Sequence, residues 1–231
     1  MNMEKRVVIL ISAIVFLSIL IPFVFYYQVY LSYSPDLNCE KIITNPNTPN
    51  AINIVFITTQ NNSALEKYIQ TFLETVPFSQ NKEKFNFYKI DHDPECKIIQ
   101  NTAVYCYSKK LIKESSNCPN DFIVAISDQE PKIRSSAYSN VISINSKHSP
   151  TVFIHEFGHV FANLADEYIP AKIPSGATNC NQEPIYETSF KGCSTTKHFR
   201  PSIASIMKTL QSTSYDLFNE NLINKIIEKY K

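Results

Sequence analysis

The five residues His155-Glu-Phe-Gly-His159 constrain this chain more than any other stretch, because they fit the H-E-x-x-H pattern of a zinc-binding helix. Residues four apart on an α-helix differ by about 40° around the axis and by about 6 Å along it. The imidazoles of His155 and His159 can therefore converge on one metal ion. The pattern predicts a helix with both histidines on one face and Zn²⁺ as the bound ion.

Glu156 lies about 60° around such a helix from His159, and therefore beside the metal rather than on it. A carboxylate there can accept a proton from a zinc-activated water molecule and later donate it to a leaving amine. A chance match to so short a pattern is the alternative. The local context opposes it, because a β-rich run, residues 141–145, precedes the motif and Ser149-Pro150 is typical of a helix start. We therefore expect Glu156 to be catalytic and both histidines to be metal ligands.

The predicted elements indicate an α/β (α+β) fold with a mixed β-sheet. Residues 51–59 are apolar and β-branched with little alternation, which is typical of a strand buried on both faces. Ser63 and Glu66 form a capping box that predicts a helix ending before Pro77. A final amphipathic helix is predicted from about Ser214. Further strands are predicted at 85–90, 121–127 and 138–145, and the last of them leads into the motif helix. This order predicts a mixed sheet covered by helices.

Residues 1–30 are predicted to be an N-terminal transmembrane signal anchor. Lys5 and Arg6 precede an uncharged run from Val7 to about Tyr30, which is longer than the roughly 20 residues needed to cross a bilayer. No Ala-x-Ala cleavage pattern follows, so an uncleaved anchor is favoured over a cleaved signal peptide that would leave the chain secreted. The positive-inside rule then predicts a single-pass protein of the cell membrane, with its N-terminus in the cytoplasm and the rest outside. Residues 31–50 are predicted to be a linker and residues 51–231 one folded domain.

The cysteines agree with a location outside the cytoplasm. All six lie beyond residue 30, and an even number in an oxidising compartment predicts up to three disulfides. Sequence spacing favours Cys96–Cys106 and Cys180–Cys193 as local staples, which leaves Cys39–Cys118. A cysteine zinc site is the weaker alternative, because no Cys-x-x-Cys pair occurs. With 22 Lys and Arg against 21 Asp and Glu, the chain has no basic stripe that would indicate a nucleic-acid partner.

A catalytic zinc ion usually has three protein ligands, so one more ligand must come from after the motif. Asp166, Glu167 and His198 are the candidates, and Asp166 is preferred. On a straight helix Asp166 would lie about 16 Å from His155 along the axis, out of reach of the same ion. The chain must therefore turn back after His159, and Asn163 is the nearest residue that tolerates a left-handed conformation.

The motif and its neighbours resemble the IgA-peptidase family of zinc metallopeptidases. The resemblance rests on His-Glu-Phe-Gly-His followed by Leu164-Ala-Asp-Glu-Tyr168. Two further pairs of segments match the family pattern: Val76-Pro-Phe78 with Phe85-Asn86, and Arg200-Pro-Ser202 with Ser205-Ile-Met207. The resemblance implies a zincin-type peptidase domain over most of residues 51–210, with Met207 in a tight turn beneath the metal. Ala162-Asn163 departs from the family, which often has glycines there.

These predictions combine into a zinc metalloendopeptidase that cleaves an extracytoplasmic protein or peptide. An extended substrate is expected to pair with a strand edge near residues 138–145. His198 or Arg200 could stabilise the oxyanion, although a structural role is favoured for each. One rival is a catalytically inactive surface-binding protein that keeps the zincin fold. A second is a structural zinc protein, which would need a fourth protein ligand.

Overall fold

The structure is a computed structural model that describes residues 3–27, 36–48 and 50–230, with side chains described from Ile11 onwards in the first range. It divides into two compact units, Met1–Asp36 and Leu37–Lys231. Of the predicted linker 31–50, residues 31–35 and residue 49 lie outside the described residues.

The first unit contains helix α1 (Met3–Tyr26), which includes Pro22. Among the described residues, no helix combines the length and the apolar character needed to cross a membrane. The predicted transmembrane anchor over residues 1–30 is therefore wrong, and so is the single-pass membrane location that depended on it. That prediction counted apolar residues from Val7 to Tyr30. α1 ends at Tyr26, whereas residues 28–30 of the predicted span lie outside the described residues.

The second unit alternates strands and helices before it ends in loops and one last helix. The strands are β1 (Cys39–Ile43), β2 (Ile52–Ile57), β3 (Phe85–Ile90), β4 (Lys97–Ile99), β5 (Ala103–Tyr105), β6 (Phe122–Ser127), β7 (Ser136–Tyr138), β8 (Val141–Asn145), β9 (Phe190–Cys193) and β10 (Thr195–Arg200). The helices are α2 (Asn62–Glu74), α3 (Lys109–Ser115), α4 (Thr151–Ala162) and α5 (Leu217–Ile227), with short 3₁₀ turns at Phe78–Gln80 and Lys82–Lys84.

The main sheet is mixed, as predicted, with the strand order β1-β3-β2-β6-β8-β7. The four inner strands are parallel, and β1 and β7 run antiparallel to them at the two edges. Every residue of β6 and β8 is buried, because helices or loops cover both faces of a parallel sheet. α4 follows β8 after a short turn, so the motif helix starts at the carboxyl end of a fully buried strand.

Aromatic packing fixes α4 against the sheet. Phe72 of α2 stacks on Phe78 with a centroid distance of 4.1 Å, and it meets Phe153 and Phe157 of α4 at 5.6 Å and 5.0 Å. These rings are fully buried. Residues two apart on a helix point about 200° apart. The phenylalanine face of α4 at Phe153 therefore packs into the core, while the face at His155 turns away from it.

All three predicted disulfide pairs are confirmed. Cys39–Cys118 links β1 to the segment before β6, Cys96–Cys106 closes the β4–β5 hairpin, and Cys180–Cys193 ties the loop after α4 to β9. No cysteine of the described chain is free.

Several local predictions differ from the structure. Asn61, not Ser63, caps α2, and its side chain accepts a hydrogen bond from the Ala64 N–H. The predicted strand 138–145 is a hairpin, because Ser139 adopts a left-handed conformation with φ 56° and divides β7 from β8. β1 lies within the predicted linker 31–50, where it pairs with β3.

Candidate metal centre

Backbone carbonyls orient both histidines of α4. His155 Nδ1 lies 2.8 Å from the Ile206 carbonyl oxygen, and His159 Nδ1 lies 2.6 Å from the Leu164 carbonyl oxygen. A carbonyl can only accept, so each Nδ1 must donate a proton. In the neutral rings each Nε2 then carries a lone pair, which is the form that a metal ligand requires.

A left-handed turn ends α4 where the sequence predicted it. Asn163 has φ 50° and ψ 36°, and the Leu164 N–H donates to the Gly158 carbonyl at 3.2 Å. Asparagine is one of the few residues besides glycine that adopt this left-handed conformation at the end of a helix. The turn reverses the chain after His159 and returns Asp166 to the histidines.

Three candidate ligand atoms converge at this point. Asp166 Oδ1 is 3.1 Å from His155 Nε2 and 3.3 Å from His159 Nε2, and the two Nε2 atoms are 3.2 Å apart. Among the described residues, this is the one group of histidine, cysteine and acidic side chains compact enough to hold a metal ion.

The electrostatics of the cluster favour a bound cation. Asp166 Oδ1 is buried, and while both neighbouring Nε2 atoms are unprotonated no described residue donates a hydrogen bond to it. Burial lowers the pKa of His159, but Asp166 and Glu156 outweigh that effect and raise the pKa to about 9. Burial also raises the pKa of Asp166, yet the two histidines hold it well below its ordinary value. Either a proton or a metal ion therefore fits between these three groups, and two imidazoles with one carboxylate are a donor set that suits zinc.

Glu156 follows His155 on α4 and is 7 % exposed. No described residue donates a hydrogen bond to its carboxylate, and its side chain lines both cavities beside the cluster. A nearly buried carboxylate without a donor is costly unless a ligand or water satisfies it. Glu156 is therefore free to act on a molecule that enters either cavity.

Glu167 is a bracing residue and does not face the histidines. Its carboxylate accepts hydrogen bonds from Ser205 Oγ at 2.7 Å, Asn219 Nδ2 at 2.8 Å and Asn179 Nδ2 at 3.1 Å. Its backbone N–H donates to the Met207 carbonyl at 2.8 Å. Burial raises the pKa of Glu167, while these side-chain donors oppose the rise. The residue fixes the chain between Asp166 and the turn at Met207.

The Ser205–Met207 segment forms the floor under α4. The Lys208 N–H closes a turn onto the Ser205 carbonyl at 3.0 Å, and Met207 is fully buried. A Cβ atom at Gly158 would lie 3.0 Å from Met207 Sδ and 3.0 Å from the Tyr215 hydroxyl. Glycine is therefore needed between the two histidines so that the floor can approach the helix.

The structure does not bring the remaining candidates to the cluster. His198 lies on β10, where its Nδ1 is 2.7 Å from the Thr195 hydroxyl. The Arg200 guanidinium donates to the Lys191 and Gly192 carbonyls at 2.9 Å and 2.6 Å. Neither side chain lines the cavities at Glu156, so an oxyanion role for either one finds no support.

Two residues at the site carried no assigned role in the sequence analysis. Tyr168 lines both cavities, and burial, followed by the charge of Asp166 and a hydrogen bond to it, raises its pKa. Arg134 also lines both cavities. Tyr168 is the last residue of the Leu164–Tyr168 segment that resembles the peptidase family, so that resemblance could have identified it. Nothing in the local sequence marks Arg134.

Two cavities of about 570 Å³ and 350 Å³ adjoin the cluster. β7, His159, Asp166, Lys172 and Pro174 line the larger cavity, and Ile206 and residues 208–210 line the smaller one. Arg134, His155, Glu156 and Tyr168 belong to both. A ligand in either cavity can therefore reach Glu156.

No family model matches the sequence, and no curated protein is significantly similar to it.

Proposed function

We propose that the chain is a zinc-dependent endopeptidase. The proposal rests on one juxtaposition. Glu156, a carboxylate without a hydrogen-bond donor, lies beside the compact cluster of His155, His159 and Asp166, and the side chains of Glu156 and His155 line two cavities. The resemblance of the motif segments to the IgA-peptidase family points to the same activity and stays a prediction.

Zinc is the metal that we propose for the cluster, with His155 Nε2, His159 Nε2 and a carboxylate oxygen of Asp166 as its ligands. When bound, zinc would polarise the scissile carbonyl and make a water molecule acidic enough to attack at neutral pH. The hydrogen bonds from each Nδ1 to a backbone carbonyl hold both rings in the tautomer and orientation that such a site needs. No fourth protein ligand lies in the cluster formed by the described residues, which argues against a closed structural site.

Glu156 is proposed to move the protons of the reaction. Its carboxylate would take a proton from the attacking water and then deliver it to the amine that leaves. Tyr168 is proposed to donate a hydrogen bond to the oxygen that becomes negative, because its raised pKa keeps the hydroxyl protonated at neutral pH. Both side chains line both cavities, so both can meet a peptide that passes between them.

The substrate is proposed to bind in an extended conformation along β7. This strand is the last in the sheet order, and Ser136, Ala137 and Tyr138 line the larger cavity. A peptide can add to such an edge through backbone hydrogen bonds. β8, the other part of the predicted edge, pairs with β6 and β7 on its two sides and has no edge to offer. The three disulfides favour an oxidising compartment, and hence an exported substrate.

A digest of a broad peptide mixture by the zinc-loaded full chain tests the proposal. We expect internal cleavage that a chelator abolishes and that added zinc restores. Glu156→Gln should keep the zinc and the melting temperature while its rate falls by about 10²- to 10⁴-fold, which is the usual contribution of a general acid–base residue. Bound zinc with no cleavage of any peptide would favour the inactive surface-binding alternative. Absence of bound zinc at micromolar metal would overturn the proposed site.

A further inference from the structure

We propose that the cleft selects peptides that carry acidic side chains around the cleaved bond, and that Arg134 is the main specificity-determining residue. This inference rests on the proposed peptidase function and concerns which substrates that site accepts.

Apart from Glu156 and Asp166, every charged side chain that lines the two cavities is positive. Glu156 and Asp166 are assigned to proton transfer and to the metal. The remaining charged residues are Arg134 in both cavities, Lys172 in the larger one and Lys208 in the smaller one. The whole chain is nearly neutral, with a formal net charge of +1, so this concentration of cations is a property of the cleft. Like-signed walls attract ligands of opposite charge and repel basic ones.

The three cations are available to a ligand. Arg134 and Lys172 are exposed and Lys208 is half-buried. None of them forms an ion pair or a side-chain hydrogen bond with another described residue. Other cations of the domain differ: Lys147 Nζ lies 2.8 Å from Asp128, Lys132 Nζ lies 2.8 Å from Glu130, and Arg200 donates to carbonyls. The three cleft cations therefore have no intramolecular partner that competes with a ligand.

Arg134 combines a fixed backbone with a free guanidinium. Its N–H donates to the Thr102 carbonyl at 2.9 Å, and its carbonyl accepts from the Val104 N–H at 3.0 Å. These bonds tie the strand segment before β7 to β5 and set where the side chain starts. Arg134 lines both cavities together with Glu156 and Tyr168, so the guanidinium shares the cleft with the groups that are proposed to react.

The chemistry of these cations identifies the ligand. A guanidinium can bind a carboxylate through two parallel N–H···O bonds, whereas a lysine acts as a flexible point charge. Arg134 at the junction would fix one Glu or Asp next to the cleaved bond. Lys172 and Lys208, one in each cavity, would add weaker preference for acidic residues further along the peptide on the two sides.

Matched peptides test this specificity. One cleaved peptide is synthesised with Glu at the positions flanking the cleaved bond, and a second has Gln at the same positions. We expect kcat/KM to be about 10- to 100-fold higher for the Glu peptide and this ratio to shrink with added salt. Arg134→Gln should remove most of the ratio, Lys172→Gln and Lys208→Gln should each remove a smaller part, and Arg134→Glu should favour a Lys peptide. Lys147→Gln, which removes a cation outside the cleft, is the matched control and should leave the ratio unchanged.

Binding provides a readout that does not depend on turnover. Fluorescence anisotropy of labelled peptides on the Glu156→Gln protein should show the same preference for Glu over Gln and the same loss in Arg134→Gln. Equal cleavage and equal binding of the two peptides would overturn the inference while leaving the peptidase proposal intact. A uniform loss for both peptides in Arg134→Gln would also overturn it, because Arg134 would then act on the reaction and not on selection. If no peptide is cleaved but the Glu peptide still binds better, the peptidase proposal fails and the acidic ligand class stands.

Discussion

The two histidines and Asp166 meet at one point, but two differently built regions hold them. Residues 51–162 contain the parallel strands, α2 and α4, and apolar packing around Phe72 and Phe157 holds this region together. Residues 163–208 are mostly loop, with a small cluster around Ala165, Cys180 and Cys193. Hydrogen bonds to Glu167 and one disulfide replace the core there. The positions of the two histidines therefore depend on apolar burial, whereas the position of the Asp166 carboxylate depends on polar contacts.

Phe72→Ala tests the packed region and should have the largest effect on stability. Phe72 is fully buried and contacts five other phenylalanines at centroid distances below 5.7 Å. Removing such a ring lowers the free energy of unfolding by about 3–5 kcal/mol. Chemical denaturation measures the loss, and Ile203→Ala, at a site that is 70 % exposed, is the control with little expected change. If both variants unfold at the same denaturant concentration, burial does not dominate this region.

Glu167→Ala tests the polar region through stability. The change leaves the donors of Ser205, Asn179 and Asn219 without their buried acceptor, and each unsatisfied group costs about 1–3 kcal/mol. We expect the free energy of unfolding to fall by about 3 kcal/mol, with one zinc ion still bound per folded chain. Glu167→Gln keeps an acceptor for the two amides and should lose much less. If Glu167→Ala lost zinc at unchanged stability, Glu167 would be the metal ligand and the bracing role would pass to Asp166.

Asp166→Ala tests the same region through metal affinity. Asp166 contacts the two histidines and Tyr168 and is not part of the apolar core, so the variant should still fold, whereas the metal loses one of its three proposed protein ligands. Changes to residues that merely support a ligand lower metal affinity by 10- to 100-fold, and we expect more than about 100-fold here. Competition against a zinc chelator gives the affinity. A variant that holds zinc as tightly as the wild type would place the third ligand elsewhere.

The pH dependence of zinc binding gives the smallest expected effect. It tests both regions together, because Asp166 in one region raises the pKa of His159 in the other. In the metal-free protein Asp166 and Glu156 raise the pKa of His159 to about 9, so the ring is protonated at pH 7.5. Zinc must displace that proton. The apparent affinity should therefore rise by about tenfold per pH unit below pH 9 and level off above it. Calorimetry in buffers of different ionisation heat should detect about one proton released per zinc at pH 7.5. Release of no proton would contradict the charge arrangement.

Predictability from sequence follows the same division between regions. β3 and β6 match the predicted strands almost residue for residue, because strands that are buried on both faces are rich in β-branched and aromatic residues. β9 and β10 lie in a stretch where no strand was predicted. Their residues are largely half-exposed and carry no alternation that would predict a strand. Asn61 was missed as the α2 cap because Ser63 and Glu66 offered a competing capping box two residues later.

The transmembrane prediction was wrong because it relied on apolar composition alone. No described helix combines the length and the apolar character that a crossing requires. The hairpin at Ser139 was also missed. A left-handed serine has no sequence marker comparable to Asn-Gly. That hairpin matters for the proposed function, because it leaves β7 as the last strand beside the cavity.

The sequence by itself determined the helix with His155 and His159 and the turn at Asn163, and it favoured the three disulfide pairs that the structure contains. Each of these depends on residues close in the chain, on the number of cysteines, or on a conformation that few residues tolerate. Tertiary structure alone decided which carboxylate faces the histidines, that Glu167 braces the floor, and that Arg134 stands at the cleft. These positions are set by contacts between segments up to 52 residues apart, such as Glu167 with Asn219, and local sequence patterns do not record such contacts.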